Sequence, residues 1–148
     1  MPSAAVYQLR DRVFIHPWQR TTLGLGMASG PYVSLPLDAE AAALGDAVFA
    51  ALSGSAVNVP HPESPKGLQA ARLKAAGVRS EKAFQSGARN LTVERLDRTI
   101  RILPSRNGGS SGESKGFHGL PELGLSLPFA SSAEELGNAV LEGFKRCA

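Results

Sequence analysis

One cysteine, Cys147, stands in 148 residues, so no internal disulfide framework can form, and a reducing compartment fits. No stretch approaches the ~18 consecutive apolar residues of a membrane-spanning helix. The opening MPSAAVYQLRDR has no basic segment followed by an apolar one, so a secretory leader is not expected. Extremes of composition are absent too. Hydrophobic residues make up 43% and charged residues 20%, near the globular average, which argues against wholesale disorder. The length suits a single domain, here residues 1–148, able to bury roughly 70% of its unfolded surface without covalent staples.

Chemical equipment is scarce. His16, His61 and His118 are isolated, none with a second His or Cys at helical spacing, so no metal or other cofactor is expected. Gly24-Leu-Gly-Met-Ala-Ser-Gly30 has the wrong glycine spacing for a dinucleotide loop, and Pro31 with a strand follows where a helix should begin. Gly112-Glu-Ser-Lys-Gly116 lacks the Gly-Lys-Ser/Thr order of a phosphate-binding loop. No serine sits in a nucleophile elbow. Cys147, one residue from the end, is expected to fray rather than act as a nucleophile. Glu134 and Glu135 read as partners of a helix dipole, not as an acid/base pair. His16-Pro17-Trp18 could form an aromatic-polar patch, although packing of Trp18 in the core is favoured. No catalytic constellation emerges, and the chain does not read as an enzyme.

What is present is charge with a pattern. The net +3 and pI near 9.4 invite a nucleic-acid reading. Residues 66–106 carry ten bases and three acids, a net +7, whereas the rest of the chain carries −4. A basic middle could track phosphates, with Arg89, Arg95, Arg98 and Arg101 on a hairpin over about 89–106. It could equally be a solvated face whose long stems cover apolar neighbours. A stacking platform would need interleaved aromatics, and only Phe84 lies in the segment.

The order of elements reads β-β-β-α-α-α-β-β-β-α. Strands are expected over 4–9 and 12–16, a glycine-rich loop over 24–30, and a strand over 32–37 with Pro36 at its end. Asp38 is expected to cap a helix through about Leu52. A loop over 58–67, a helix from Leu68 to Ala76 ended by Gly77, and a short helix capped by Ser80 follow. Two strands then form a hairpin, at 91–93 and 99–103. Residues 105–116 read as a flexible Gly/Ser loop. A last strand, 125–129, leads through a Ser131/Ser132 cap into a terminal helix. The fold class is therefore α+β: one domain with an antiparallel or mixed sheet of about five to six strands and about four helices.

One segment echoes another. Residues 33–52, VSLPLDAEAAALGDAVFAAL, align without a gap to 125–144, LSLPFASSAEELGNAVLEGF. Each is a strand ending in proline, a polar cap, and a helix with a central glycine, Gly45 or Gly137. A mid-helix glycine costs about 1 kcal/mol against alanine, so close helix packing is expected to require both.

The order Trp18, Tyr32-Val-Ser-Leu-Pro-Leu37, Leu44-Gly45, Ala50-Ala-Leu52, Val59-Pro60, Ala75-Ala-Gly-Val-Arg-Ser80, Phe84, Ile100-Arg-Ile-Leu-Pro104 and Gly116-Phe117 resembles the contact-dependent growth inhibition immunity proteins (the CdiI family) across most of residues 5–144. The resemblance implies a small cytoplasmic protein. It would bind the toxic C-terminal domain of a cognate CdiA effector as a heterodimer, and such toxins are frequently nucleases. Inhibition would work by covering the toxin, without turnover, and without contact to nucleic acid or membrane. A basic toxin would be met by acids, so Glu63, Glu113 and Glu122 are the expected contact residues, with segment 66–106 facing elsewhere. The alternative is a basic nucleic-acid-binding module built on the Arg-rich hairpin.

Overall fold

The computed structural model describes residues 2–57, 59–60 and 65–148. Its first strands, β1 (Ser3–Gln8) and β2 (Val13–Arg20), pair antiparallel with Val6 opposite Ile15. Their apolar residues alternate strictly, so each strand offers two different faces. Ala4, Val6, Val13 and Ile15 point to one side, and Ala5, Tyr7, Phe14 and His16 to the other. Short β3 (Gly26–Ala28) and β4 (Val33–Leu35) both pair with β2, β3 along its second half and β4 along its first. The glycine-rich segment expected to be loop thus contains a strand. Pro36, which cannot donate to a ladder, stands just past the end of β4.

Helix α1 (Ala41–Ser53) follows. Its N-cap is Glu40, not Asp38, and makes no side-chain capping bond. Helices α2 (Pro65–Ala76) and α3 (Glu81–Gln85) come next. Gly77 takes a positive φ of 77° after α2, and the Ser80 hydroxyl accepts from Ala83 N at 3.1 Å to cap α3. Then β5 (Arg89–Leu96) and β6 (Thr99–Asn107) form the long hairpin, with β5 antiparallel to β1 at the centre of the sheet. Strand β7 (Phe117–Gly119) pairs with the second half of β6. After a 3₁₀ turn at Pro121–Leu123, β8 (Leu125–Pro128) pairs with the first half of β6. Helix α4 (Ala133–Lys145) closes the chain with a full capping box, Ser132 and Glu135 bonding each other's main chain. The six-strand path β3-β2-β1-β5-β6-β7, with β4 and β8 paired off it, matches the expected α+β class.

Several boundaries differ from expectation, and α2 opens at Pro65, inside the expected 58–67 loop, of which residues 58 and 61–64 lie outside the described residues. Strand β6 runs to Asn107, so residues 105–107 of the expected flexible loop are sheet, and Ser105 is buried. Residues 108–116 close on themselves through Gly108 N to Gly116 O and Gly116 N to Gly109 O, both 2.8 Å. The C-terminus, expected to fray, is pinned instead, for Ala148 exchanges backbone hydrogen bonds with Ser105 and Asn107.

The echo extends beyond the aligned segment. Each half of the chain is a long hairpin, two short strands on the hairpin's second arm, and a helix. Leu35 pairs with Val13 as Leu127 pairs with Ile100, and Gly26 pairs with Arg20 as Phe117 pairs with Asn107. After each helix the chain returns to the same arm, Ala56 to Arg20 and Ala148 to Asn107. The halves meet antiparallel at β1 and β5 across a pseudo-two-fold axis. Helices α1 and α4 cover one sheet face with Leu44, Val48, Leu136, Val140 and Phe144. Helices α2 and α3 lie between the halves in sequence and cover part of the other face.

Candidate functional site

The second face differs in kind from the first. On β2, Phe14, His16 and Trp18 succeed one another at every second residue, so their rings share one face. Phe14 stacks on Tyr32 at 5.6 Å and 8°, and Tyr7 meets Phe84 edge-on at 4.9 Å. His16 lies edge-on to Trp18 at 5.0 Å. Such offset and edge-on pairs add to area burial. Across the pseudo-two-fold axis, Trp18, paired with Ala28 on β3, corresponds to Ser105, paired with Gly119 on β7. Its neighbours on the same face there are Leu103 and Arg101. The run of rings on β2 therefore has no counterpart on β6, although Phe117 of the second half joins the layer 5.7 Å from Tyr7.

His16 is fully buried. Its Nδ1 is 2.8 Å from the Pro17 carbonyl, which can only accept, so Nδ1 carries the proton. Nε2 has no hydrogen-bond partner. Burial pushes the His16 pKa down from 6.5 to about 4; the Pro17 bond opposes the shift and nearby Arg72 adds to it. Burial likewise raises the Tyr7 hydroxyl to about 12, with Arg72 acting against it.

A cavity of about 470 Å³ opens beside this layer, between β3 and α2. Its walls are mainly apolar, from Trp18, Met27, Leu68 and Phe117, and Arg72 and Glu81 contribute charge. Arg72 pairs with Glu81 and sets its guanidinium 4.5 Å above the Phe84 ring. Gln69 donates to the same carboxylate at 2.9 Å. The Trp18 edge is fixed from behind, since its carbonyl accepts from the Ser55 hydroxyl at 2.6 Å and the next residue, Gln19, bonds Gly54 and Ala56.

The basic segment is not one surface. Arg89 donates to the Phe144 carbonyl, and Arg95 stacks 3.6 Å above Phe129 and donates to the Asp97 carbonyl. Arg72 is held as described. Lys74, Arg79, Lys82, Arg98 and Arg106 are exposed on α2, the turn before α3, α3, the hairpin turn and β6. Two of the four arginines singled out for nucleic acid therefore serve intramolecular contacts.

Of the acids expected to meet a partner, Glu113 is exposed in the 108–116 loop and Glu122 is exposed on the 3₁₀ turn. Both belong to the segment that hangs from the outer edge of β6. Glu63 and His61 lie outside the described residues. His118 is exposed and contacts the Ser114 carbonyl at 2.8 Å. Cys147 is half-buried, its Sγ 3.5 Å from the Asn90 carbonyl. Among the described residues no three His, Cys, Asp or Glu side chains stand close enough to hold a metal. Sequence reading singled out Trp18 but passed over Met27, Leu68, Arg72, Glu81 and Phe117. The signal that was available is the alternation of Phe14, His16 and Trp18, which marks a second buried face.

Comparison with known proteins gives two kinds of match. The family model described as CDI immunity protein (CdiI) matches residues 2–147. A structure described as a protein of unknown function from Neisseria meningitidis has a TM-score of 0.76 at 19% identity, covering 99% of this chain and 95% of that one. A chain of the CdiA-CT/CdiI toxin and immunity complex from Yersinia pseudotuberculosis has a TM-score of 0.80 at 15% identity, covering 99% and 97%. No curated protein matches.

Proposed function

Because the chain belongs to the CDI immunity protein family, we propose that it binds the toxic C-terminal domain of a cognate CdiA effector and neutralises it by covering a functional surface. The observation that carries this reading is the family match over residues 2–147. The fold shared with a chain of a CdiA-CT/CdiI complex supports it. The protein acts by occupancy, as a one-to-one partner without turnover, in the cytoplasm of the cell it protects. The toxin is read as a nuclease, whose basic substrate cleft would be met by acids. Glu113 and Glu122 are exposed and free to serve in this way, and Glu63 completes the proposed set.

The test is co-expression of the chain with the C-terminal domain of the effector encoded beside it. Co-purification and rescue of growth are expected, and failure of both would sink the reading. Reversing Glu113 and Glu122 to Lys should weaken binding at least about tenfold. Unchanged affinity would remove these acids from the interface without touching the immunity role.

A further inference from the structure

We propose that the cavity between β3 and α2 is an anchor pocket that receives one uncharged, apolar side chain of the toxin domain. This rests on the immunity reading and adds the surface by which the partner is held. Affinity in protein interfaces concentrates where a large side chain fills a desolvated pocket, and the cavity has the form such an anchor requires. At about 470 Å³ it exceeds the volume of any single side chain. Trp18, Met27, Leu68 and Phe117 give it apolar walls.

The rim points the same way. The turn from β2 to β3 carries Leu23 and Leu25, 69% and 56% exposed, and Leu25 also lines the cavity. Exposed apolar residues scattered singly need no explanation, but these two share one turn, and Leu25 reaches the cavity. Backbone bonds from Thr21 to Leu25 and from Gly24 to Thr21, both 2.9 Å, hold that turn in shape.

Charge selects the occupant. The charged residues of the lining, Arg72 and Glu81, already neutralise each other, and Gln69 shares the carboxylate. A charged guest would face one like charge beside its counter-ion and would lose its hydration. An uncharged apolar guest loses nothing and leaves the pair intact. Its Trp18 wall is not repeated across the pseudo-two-fold axis, where Ser105 takes the place of Trp18.

The test titrates the full chain with the purified toxin domain by calorimetry, comparing Leu25→Asp and Leu23→Asp with Leu96→Asp. All three residues are exposed, so the fold should survive, and circular dichroism with thermal melting checks it. Leu25→Asp is expected to weaken binding at least about tenfold, with Leu96→Asp, 40% exposed at the far end of β5, within about twofold of the unmodified chain. If folded Leu25→Asp and Leu23→Asp both bind within twofold, the pocket is not the anchor and the immunity reading stands. If the unmodified chain does not bind the toxin domain at all, both readings fall together. Sedimentation of the chain alone addresses a different occupant. A dimer that Leu25→Asp converts to a monomer would assign the cavity to a second copy and overturn the proposal.

Discussion

Gly45 on α1 lies so close to Ala133 at the start of α4 that a β-carbon on it would stand 1.8 Å from the Ala133 carbonyl oxygen. The relationship is reciprocal, because a β-carbon on Gly137 would stand 1.8 Å from the Ala41 carbonyl oxygen. The two glycines are equivalent positions of the internal echo, and each meets the first residue of the other helix. Their helices cross at the pseudo-two-fold axis with main chain against main chain.

The first prediction follows from that crossing. Gly45→Ala and Gly137→Ala should each gain helix propensity of up to about 1 kcal/mol, yet each forces the helices apart. Overpacking of this kind costs about 1–3 kcal/mol, and contact with rigid main chain puts both variants at the upper end. The double variant should cost less than the sum, because one separation of the helices accommodates both methyls. Urea unfolding of the three variants measures this. Strict additivity would mean that the glycines do not share one crossing.

How far the sequence reveals this fold can be judged from the same residues. The gapless match of Val33–Leu52 with Leu125–Phe144 made Gly45 and Gly137 visible as packing positions, since a mid-helix glycine without a reason is a cost. The hairpins that complete each half, β1-β2 and β5-β6, match more sparsely, with Val6/Val93, Leu9/Leu96, Ile15/Ile102 and Pro17/Pro104 identical. Alternation fixes only which face is apolar, so Ala4 and Leu91 serve the same place without resembling each other. β3 was hidden because three residues, Gly26 to Ala28, are too few to show a period. The cavity was harder still to read. Trp18, Leu68 and Phe117 come together only through sheet pairing and the docking of α2, which local patterns do not encode. Glu40 at the N-cap of α1 gave no signal either, as it forms no capping bond.

His16 makes stability depend on pH in a defined direction. In the folded chain it stays neutral down to about pH 4, whereas its ordinary pKa is 6.5. Below pH 6.5 the unfolded chain therefore takes up a proton that the folded chain refuses. Stability contributed by His16 is fully present above 6.5 and is lost as pH falls toward 4. Between pH 7.5 and 5 the loss should be roughly 2 kcal/mol. Urea midpoints across that range test it against His16→Phe, whose profile should be flatter there whatever its absolute stability. Parallel profiles would show that another group sets the dependence.

The Arg72–Glu81 pair borders the cavity with the Arg72 side chain only 15% exposed. Arg72→Ala removes the counter-ion of Glu81, the ring contact with Phe84 and packing along the stem. The expected loss is about 2 kcal/mol. Adding Glu81→Ala should cost little more, because the carboxylate whose partner is gone leaves with it. A double-mutant cycle by urea unfolding gives the coupling. A coupling energy near zero would show that the pair serves neither the fold nor the cavity's neutrality.

The two halves also differ in a way that permits a gain. Helix α4 begins with Ser132 and Glu135 in a complete capping box, their bonds 3.1 and 3.0 Å long. At the equivalent positions α1 has Glu40 and Ala43, with no side-chain cap. Yet Glu40 already holds the backbone shape a cap needs, φ −64° and ψ 149°, against −69° and 163° at Ser132. Both Glu40 and Ala43 are exposed, so new side chains displace nothing. Glu40→Ser with Ala43→Glu should copy the box and raise stability by about 0.5–1 kcal/mol. Conversely, Ser132→Ala should cost about 1 kcal/mol. If thermal melting shows no gain from the α1 substitutions while Ser132→Ala is destabilising, the halves match in backbone but not at their helix starts.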